Sequence, residues 1–259
     1  MIRLLVAALS GLLMLSACTL PQGPSQDIKT ASDQTTANKR SAIRLRLATQ
    51  YLEARQYPVA LDEVKQAINA DPSSVDAYHV RALIYMGMGE NALAEDSFRT
   101  ALNMRSNDAD VLNNYGLFLC EAHRYPEAKA TLQRAVQAPS ANGPVKPLTA
   151  LGSCEMRSGD LAGAEKNLQT AYGYDRNDPS VLMNLAQLNF QRGDMRQANQ
   201  YIGRVNGSRF VSAQSLWLGA RIARRQGDDQ AQSKLIAELR NRFPDSRELT
   251  AYERGAWDE

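Results

Sequence analysis

Histidine is almost missing from this 259-residue chain; His79 and His123 are the only two. A Ser–His–Asp set therefore has little to draw on, although distance along the chain does not by itself exclude one. Neither histidine shows ligand spacing with the three cysteines, so the usual zinc patterns are missing. There is no G-x-x-x-x-G-K phosphate loop and no serine nucleophile elbow. Aromatic residues make up 7% of the chain. Lys and Arg total 30 against 28 Asp and Glu, with the two signs interspersed, and no basic run of the nucleic-acid-binding kind occurs. The sequence points to no enzyme, no metal and no cofactor beyond a covalent lipid.

The one strongly apolar run lies at residues 4–15, after Arg3. It is too short to cross a hydrocarbon layer of roughly 30 Å, which needs about 20 apolar residues. It reads as the central part of an export signal. The signal closes with Leu15-Ser16-Ala17-Cys18, which resembles a bacterial lipobox. That resemblance implies cleavage after Ala17, leaving residues 1–17 as signal peptide and three acyl chains on Cys18. The alternative is ordinary secretory cleavage with an incidental cysteine. Each buried methylene of an acyl chain contributes about 0.8 kcal/mol, so three chains anchor durably. Thr19 follows the cysteine, where aspartate would resemble an inner-membrane retention signal. Outer-membrane placement, with the folded part facing the periplasm, is the expectation. Residues 18–40 are rich in Thr, Ser, Gln and Ala, too polar to bury a core, and read as a lipidated flexible tether.

Internal periodicity governs the rest. Ala48, Ala82, Gly116, Gly152, Ala186 and Gly219 recur at nearly constant spacing. Each is followed at a fixed interval by a second small residue: Ala60, Ala94, Ala128, Ala164, Ala198 and Ala231. One helical turn later comes a larger apolar residue: Val64, Phe98, Leu132, Leu168, Ile202 and Leu235. The small residues let two antiparallel helices approach closely, and the larger one fills the space beside the contact. A helix pair cannot bury its apolar face alone, so such pairs stack. The pattern resembles the tetratricopeptide repeat. It implies an all-α, right-handed superhelical solenoid with six repeats in 41–245, at about 41–74, 75–108, 109–142, 145–178, 179–211 and 212–245. Residues 246–259 then form a C-terminal capping helix, with Leu249, Tyr252 and Trp257 over the open end. The segment Pro139 to Pro144 reads as a longer loop that splits the array into two halves of three repeats.

Lipidation of Cys18 leaves Cys120 and Cys154 as an even pair. Both fall near the end of the first helix in consecutive repeats, where neighbouring helices can bring them within bridging range. The alternative is two buried free thiols. In such a solenoid the first helix of each pair lines the concave face. The expected inward positions are Ala42, Leu45, Thr49 and Leu52 in the first repeat, and Asp76, His79, Leu83 and Met86 in the second. Leu45, Leu52, Leu83 and Met86 would form an apolar strip in an open groove, a surface that usually marks a binding site.

The third repeat contains Asn113-Asn114-Tyr115-Gly116-Leu117-Phe118-Leu119-Cys120, and the fourth contains Leu151-Gly152-Ser153-Cys154. With the lipobox and six repeats, these resemble the PilF/PilW family of type IV pilus lipoproteins. Generic repeats require neither Asn-Asn nor Cys at those places. The resemblance implies a pilotin that binds the pilus secretin subunit, supports its outer-membrane localisation and multimerisation, and thereby supports pilus biogenesis and twitching motility. It also supports the Cys120–Cys154 disulfide. The competing expectation is an adaptor lipoprotein that scaffolds peptidoglycan-remodelling or outer-membrane assembly enzymes.

Overall fold

The computed structural model of the chain describes residues 36–257. The signal segment, Cys18 and the tether as far as residue 35 lie outside the described residues. Among the described residues the structure is a solenoid of thirteen helices with no strand. Six antiparallel pairs follow one another: α1 (Thr36–Glu53) with α2 (Tyr57–Ala70), α3 (Val75–Met88) with α4 (Asn91–Met104), and α5 (Ala109–Glu121) with α6 (Tyr125–Gln137). Then come α7 (Val145–Ser158) with α8 (Leu161–Tyr174), α9 (Pro179–Arg192) with α10 (Met195–Asn206), and α11 (Ala213–Gln226) with α12 (Asp229–Arg242). A short α13 (Arg247–Glu253) closes the array.

Residues 36–40, expected to belong to the tether, are already part of the first helix. Thr36 to Arg40 contain neither Gly nor Pro, and Ser41 just beyond them is buried with its hydroxyl donating to Ala67 O at 2.9 Å. That tertiary contact draws the end of the polar segment into the helix, which composition alone does not show.

Short polar side chains start the later helices. The Asp108 carboxylate accepts from the backbone N–H groups of Asp110 and Val111, Asp178 from Ser180 and Val181, and Asp160 from Gly163. Each occupies donors that a helix start leaves unmet. Between the helices of a pair the backbone turns left-handed, at Gly89 (φ 79°) and Gly159 (φ 87°) for example. One repeat to either side of Gly89, that position belongs to Arg55 (φ 57°) and His123 (φ 58°). A side chain there costs roughly 1–2 kcal/mol. In both cases a proline, Pro58 or Pro126, follows within the first turn of the next helix, where its missing N–H is harmless.

The small-residue positions mark the closest approaches. A methyl group built on Gly116 would lie 2.5 Å from Leu132 Cγ, and one on Gly152 would lie 2.6 Å from Leu168 Cγ. Ala48, Ala82 and Ala186 are buried at the equivalent places, and Val64, Phe98, Leu132 and Leu168 are wholly enclosed. The sixth pair is looser: Ala231 and Leu235 are only half-buried. Beyond it Leu249 is buried, the Trp257 ring stacks on Trp217 with centroids 4.8 Å apart, and Tyr252 meets Trp257 edge-on.

The loop after α6 does not divide the array. One core cluster runs from Val75 and Phe98 through Leu119 and Leu132 to Leu151 and Cys154, spanning repeats two to four. Cys120 and Cys154 are joined as a disulfide with Cα atoms 5.9 Å apart, tying α5 to α7. Nearby, Lys129 on α6 places its amine 2.9 Å from the carboxylate of Glu155 on α7, which is 3% exposed and also accepts from Asn167. Glu155 stands where the first two repeats place Tyr51 and Tyr85, and its burial is tolerated because its carboxylate is paired on both sides. The extra loop length is absorbed while the core stays continuous.

Two outcomes follow. Gly116→Ala destabilises by about 1–3 kcal/mol through overpacking, and Leu132→Ala alone costs about 2–5 kcal/mol. In the double variant the losses add to less than their sum because the clash has gone; strict additivity in urea unfolding would contradict the contact. Breaking the disulfide by Cys120→Ser with Cys154→Ser removes about 3–4 kcal/mol for a loop closed over 34 residues. Equal denaturation midpoints with and without the bond would show it to be energetically idle.

Candidate functional site

The helices divide into two layers. First helices of neighbouring repeats pack on one another: α1 on α3, α5 on α7, α7 on α9 and α9 on α11. Second helices pack on the first helices of their own and the following repeat. The first helices are thus the crowded inner layer, and their free faces line the inside of the curve.

The expected apolar strip lies on α1 and α3, and its side chains are half-buried. Leu45 and Leu52 are half-buried against Ala48, Val64, Ala77 and Ile84. Leu83 and Met86 are half-buried against the cluster that holds Val111 and Phe118. The Thr49 hydroxyl donates to Leu45 O at 3.0 Å, and Ala42 and Asp76 are exposed. The large apolar side chains most exposed in these two repeats lie elsewhere, at Ile43 (51%), Leu93 (46%) and Met104 (45%). Facing was inferred from helical spacing, which does not reveal how far a neighbouring helix covers a side chain.

His79 is engaged differently. Its Nε2 lies 2.8 Å from Asn114 Nδ2, and Asn113 Nδ2 donates to Asn114 Oδ1 at 3.2 Å. A hydrogen bond thus joins the imidazole on one helix to the Asn114 amide on another. The row His79–Asn114–Asn113 crosses from α3 to α5. It ends at a concavity of about 440 Å³ over α5, α7 and α9, lined by Asn113, Leu117, Val145, Thr149, Ser153 and Asn184 among others. The sequence marks Asn113-Asn114 as unusual for a generic repeat; it carries no sign that both amides belong to one row or that the row begins at His79. Among the described residues no group of three or more His, Cys, Asp or Glu side chains is placed to hold a metal ion, and no helix is long and apolar enough to cross a membrane.

Burial holds the His79 imidazole below its ordinary pKa, outweighing Asp108, Asp110 and Asp76, which raise it; Lys146 lowers it further. As pH falls, the unfolded chain takes up this proton first, so native stability declines as pH drops through the ordinary histidine value of about 6.5. His79→Gln is expected to flatten the fall in unfolding midpoint between pH 7.5 and 5.5. The same slope in both proteins would remove His79 as its source.

Comparison with known proteins places this architecture. Tetratricopeptide-repeat family models match residues 79–144 and 155–211. The type IV pilus assembly protein PilF of Pseudomonas aeruginosa is 30% identical over 209 residues, covering 81% of this chain and 83% of PilF. The crystal structure of PilW, a widely conserved type IV pilus biogenesis factor, superposes with a TM-score of 0.73 at 30% identity, covering 83% of this chain and 99% of PilW. A solved structure of Pseudomonas aeruginosa PilF gives a TM-score of 0.69 at 28% identity, covering 85% of this chain and all (100%) of that one. Sharing its repeats end to end with both, the chain belongs to the PilF/PilW family of tetratricopeptide-repeat proteins of type IV pilus biogenesis.

Proposed function

We propose that this chain is a pilotin: a lipoprotein, held in the outer membrane by acyl chains on Cys18, that binds the type IV pilus secretin subunit and promotes its localisation and multimerisation. The observation that carries the reading is the match to PilF and PilW along nearly the whole solenoid. A likeness confined to two or three repeats would speak only for the fold. The export signal and Leu15-Ser16-Ala17-Cys18 support the anchor. The mode of action is binding: a stiff array of helix pairs presents fixed side chains to another protein. A continuous core and a disulfide across the longest loop suit that task.

The test is a deletion strain. Secretin is expected to stay monomeric and twitching to stop, with both restored by the intact gene. Normal secretin multimers in the deletion strain would overturn the pilotin reading. In the complemented strain, Cys18→Ser is expected to move the protein from the membrane fraction to the soluble periplasm. Retention in membranes would overturn the anchor without touching the rest.

A further inference from the structure

Three arginines meet in one concavity at the C-terminal end of the solenoid. Arg221, Arg224 and Arg225 stand near the end of α11, three and four residues apart, so they share one side of that helix. With Phe190 of α9, Gly255 and Trp257 they line a concavity of about 360 Å³. Each guanidinium lies over a ring: Arg221 at 5.0 Å and Arg225 at 4.5 Å from the centre of Phe190, Arg224 at 4.3 Å from the centre of Trp257. Phe190 is buried and Trp257 is stacked on Trp217, so both rings are fixed supports. A guanidinium lying on a ring keeps the N–H donors along its edge. Among the described residues no carboxylate pairs with Arg224 or Arg225. One repeat earlier, Arg192 holds the place equivalent to Arg225 and is paired with Glu165 at 2.7 Å. The place equivalent to Glu165 in the next repeat belongs to Asn199, which brings no charge. The nearby Asp228 carboxylate is taken up in capping α12. A helix dipole favours a cation at this end, but three gathered together repel one another.

We propose that this concavity is a binding site for a phosphoryl group, with Arg224 and Arg225 as its principal donors. A phosphoryl group carries up to about two negative charges and three terminal oxygens, so it accepts from more than one guanidinium at once. A carboxylate has two oxygens, is filled by a single guanidinium fork, and leaves the remaining cations facing one another. The lining holds arginine and no lysine, and arginine is the side chain whose planar fork matches phosphate oxygens in pairs. Both rings are already engaged by the arginines, so recognition falls to charge and N–H edges. The concavity is of the size usual for small-ligand sites and exceeds what a bare phosphate fills. It therefore also has room for what carries the phosphate. A lipid headgroup and a free phosphate share this chemistry. The site lies on α9, α11 and the segment after α13, at the opposite end of the array from α1 and the strip beside it. It depends neither on the secretin nor on the lipid anchor, so those readings and this one fail separately.

The Cys18→Ser chain, which carries no acyl group whether or not the anchor reading holds, is titrated calorimetrically in detergent-free buffer. The probes are inorganic phosphate and dihexanoyl phosphatidate below its micellar concentration. Both are expected to bind. Arg224→Gln with Arg225→Gln is expected to weaken both about tenfold or more, as loss of charge-assisted hydrogen bonds should. Arg240→Gln, at the exposed end of α12 and outside the concavity, is expected to leave binding unchanged. Should the double variant fail to fold, the two single substitutions take its place. Tighter binding of the phosphatidate marks a lipid headgroup as the source, and equal or tighter binding of inorganic phosphate marks the free ion; both support a phosphoryl site. Four results overturn the proposal. Neither probe binds; or Arg240→Gln weakens binding as much as the double variant, making it an effect of net charge. An acetylated triglutamate amide binds more tightly than either probe, making an acidic peptide the ligand; or phosphate binds only when the chain is ended at Trp257, making Asp258 and Glu259 the occupants.

Discussion

The close approach of two helices within each repeat is the constraint on which the rest of this protein depends. At Gly116 and Gly152 there is no room for even a methyl group beside Leu132 and Leu168. Where the pair leaves slightly more room, alanine fills it, as at Ala48, Ala82 and Ala186. Interiors packed to crystal-like density tolerate little variation in side-chain volume, so the alternation of small and large residues fixes how deeply each pair seats. Each seated pair then sets the position of the next, since every second helix rests on the first helix of the following repeat.

Errors of placement would accumulate along such a stack, and the middle of this one is tied by three different interactions. The loop after α6 is the place where the register slackens. Across it run a shared core, the Cys120–Cys154 bond and the buried Glu155 carboxylate held by Lys129. These act at different ranges: the bond limits the unfolded chain, the core removes apolar surface from water, and the ion pair is sensitive to small displacements because one partner is buried. The polar row from His79 to Asn113 ends beside this disulfide-bonded pair of helices, α5 and α7.

A surface of that kind suits a protein that works by holding another protein. Membership of a pilus-assembly family accounts for the need to hold something. Binding to a scaffold ordered beforehand costs less than binding to one that must order itself. The capping helix, with Trp257 stacked on Trp217, closes an end that would otherwise expose the last pair's apolar face.

The repeat, its length and the positions of closest helix approach were legible in the sequence. Each rests on local rules: helical spacing and residue volume. The adjacency of Cys120 and Cys154 was legible too, because equivalent positions in consecutive repeats lie side by side. The helical state of residues 36–40 was not, since it goes with Ser41 reaching Ala67, far along the chain. Nor was the half-burial of Leu45, Leu52, Leu83 and Met86, which depends on how far each helix shadows its neighbour. The Asn-Asn pair was visible as an oddity without a role. Only the folded molecule aligns His79 with Asn114 and leaves Asn113 unmet, because hydrogen bonds between helices depend on distances of a few tenths of an ångström that residue spacing does not contain.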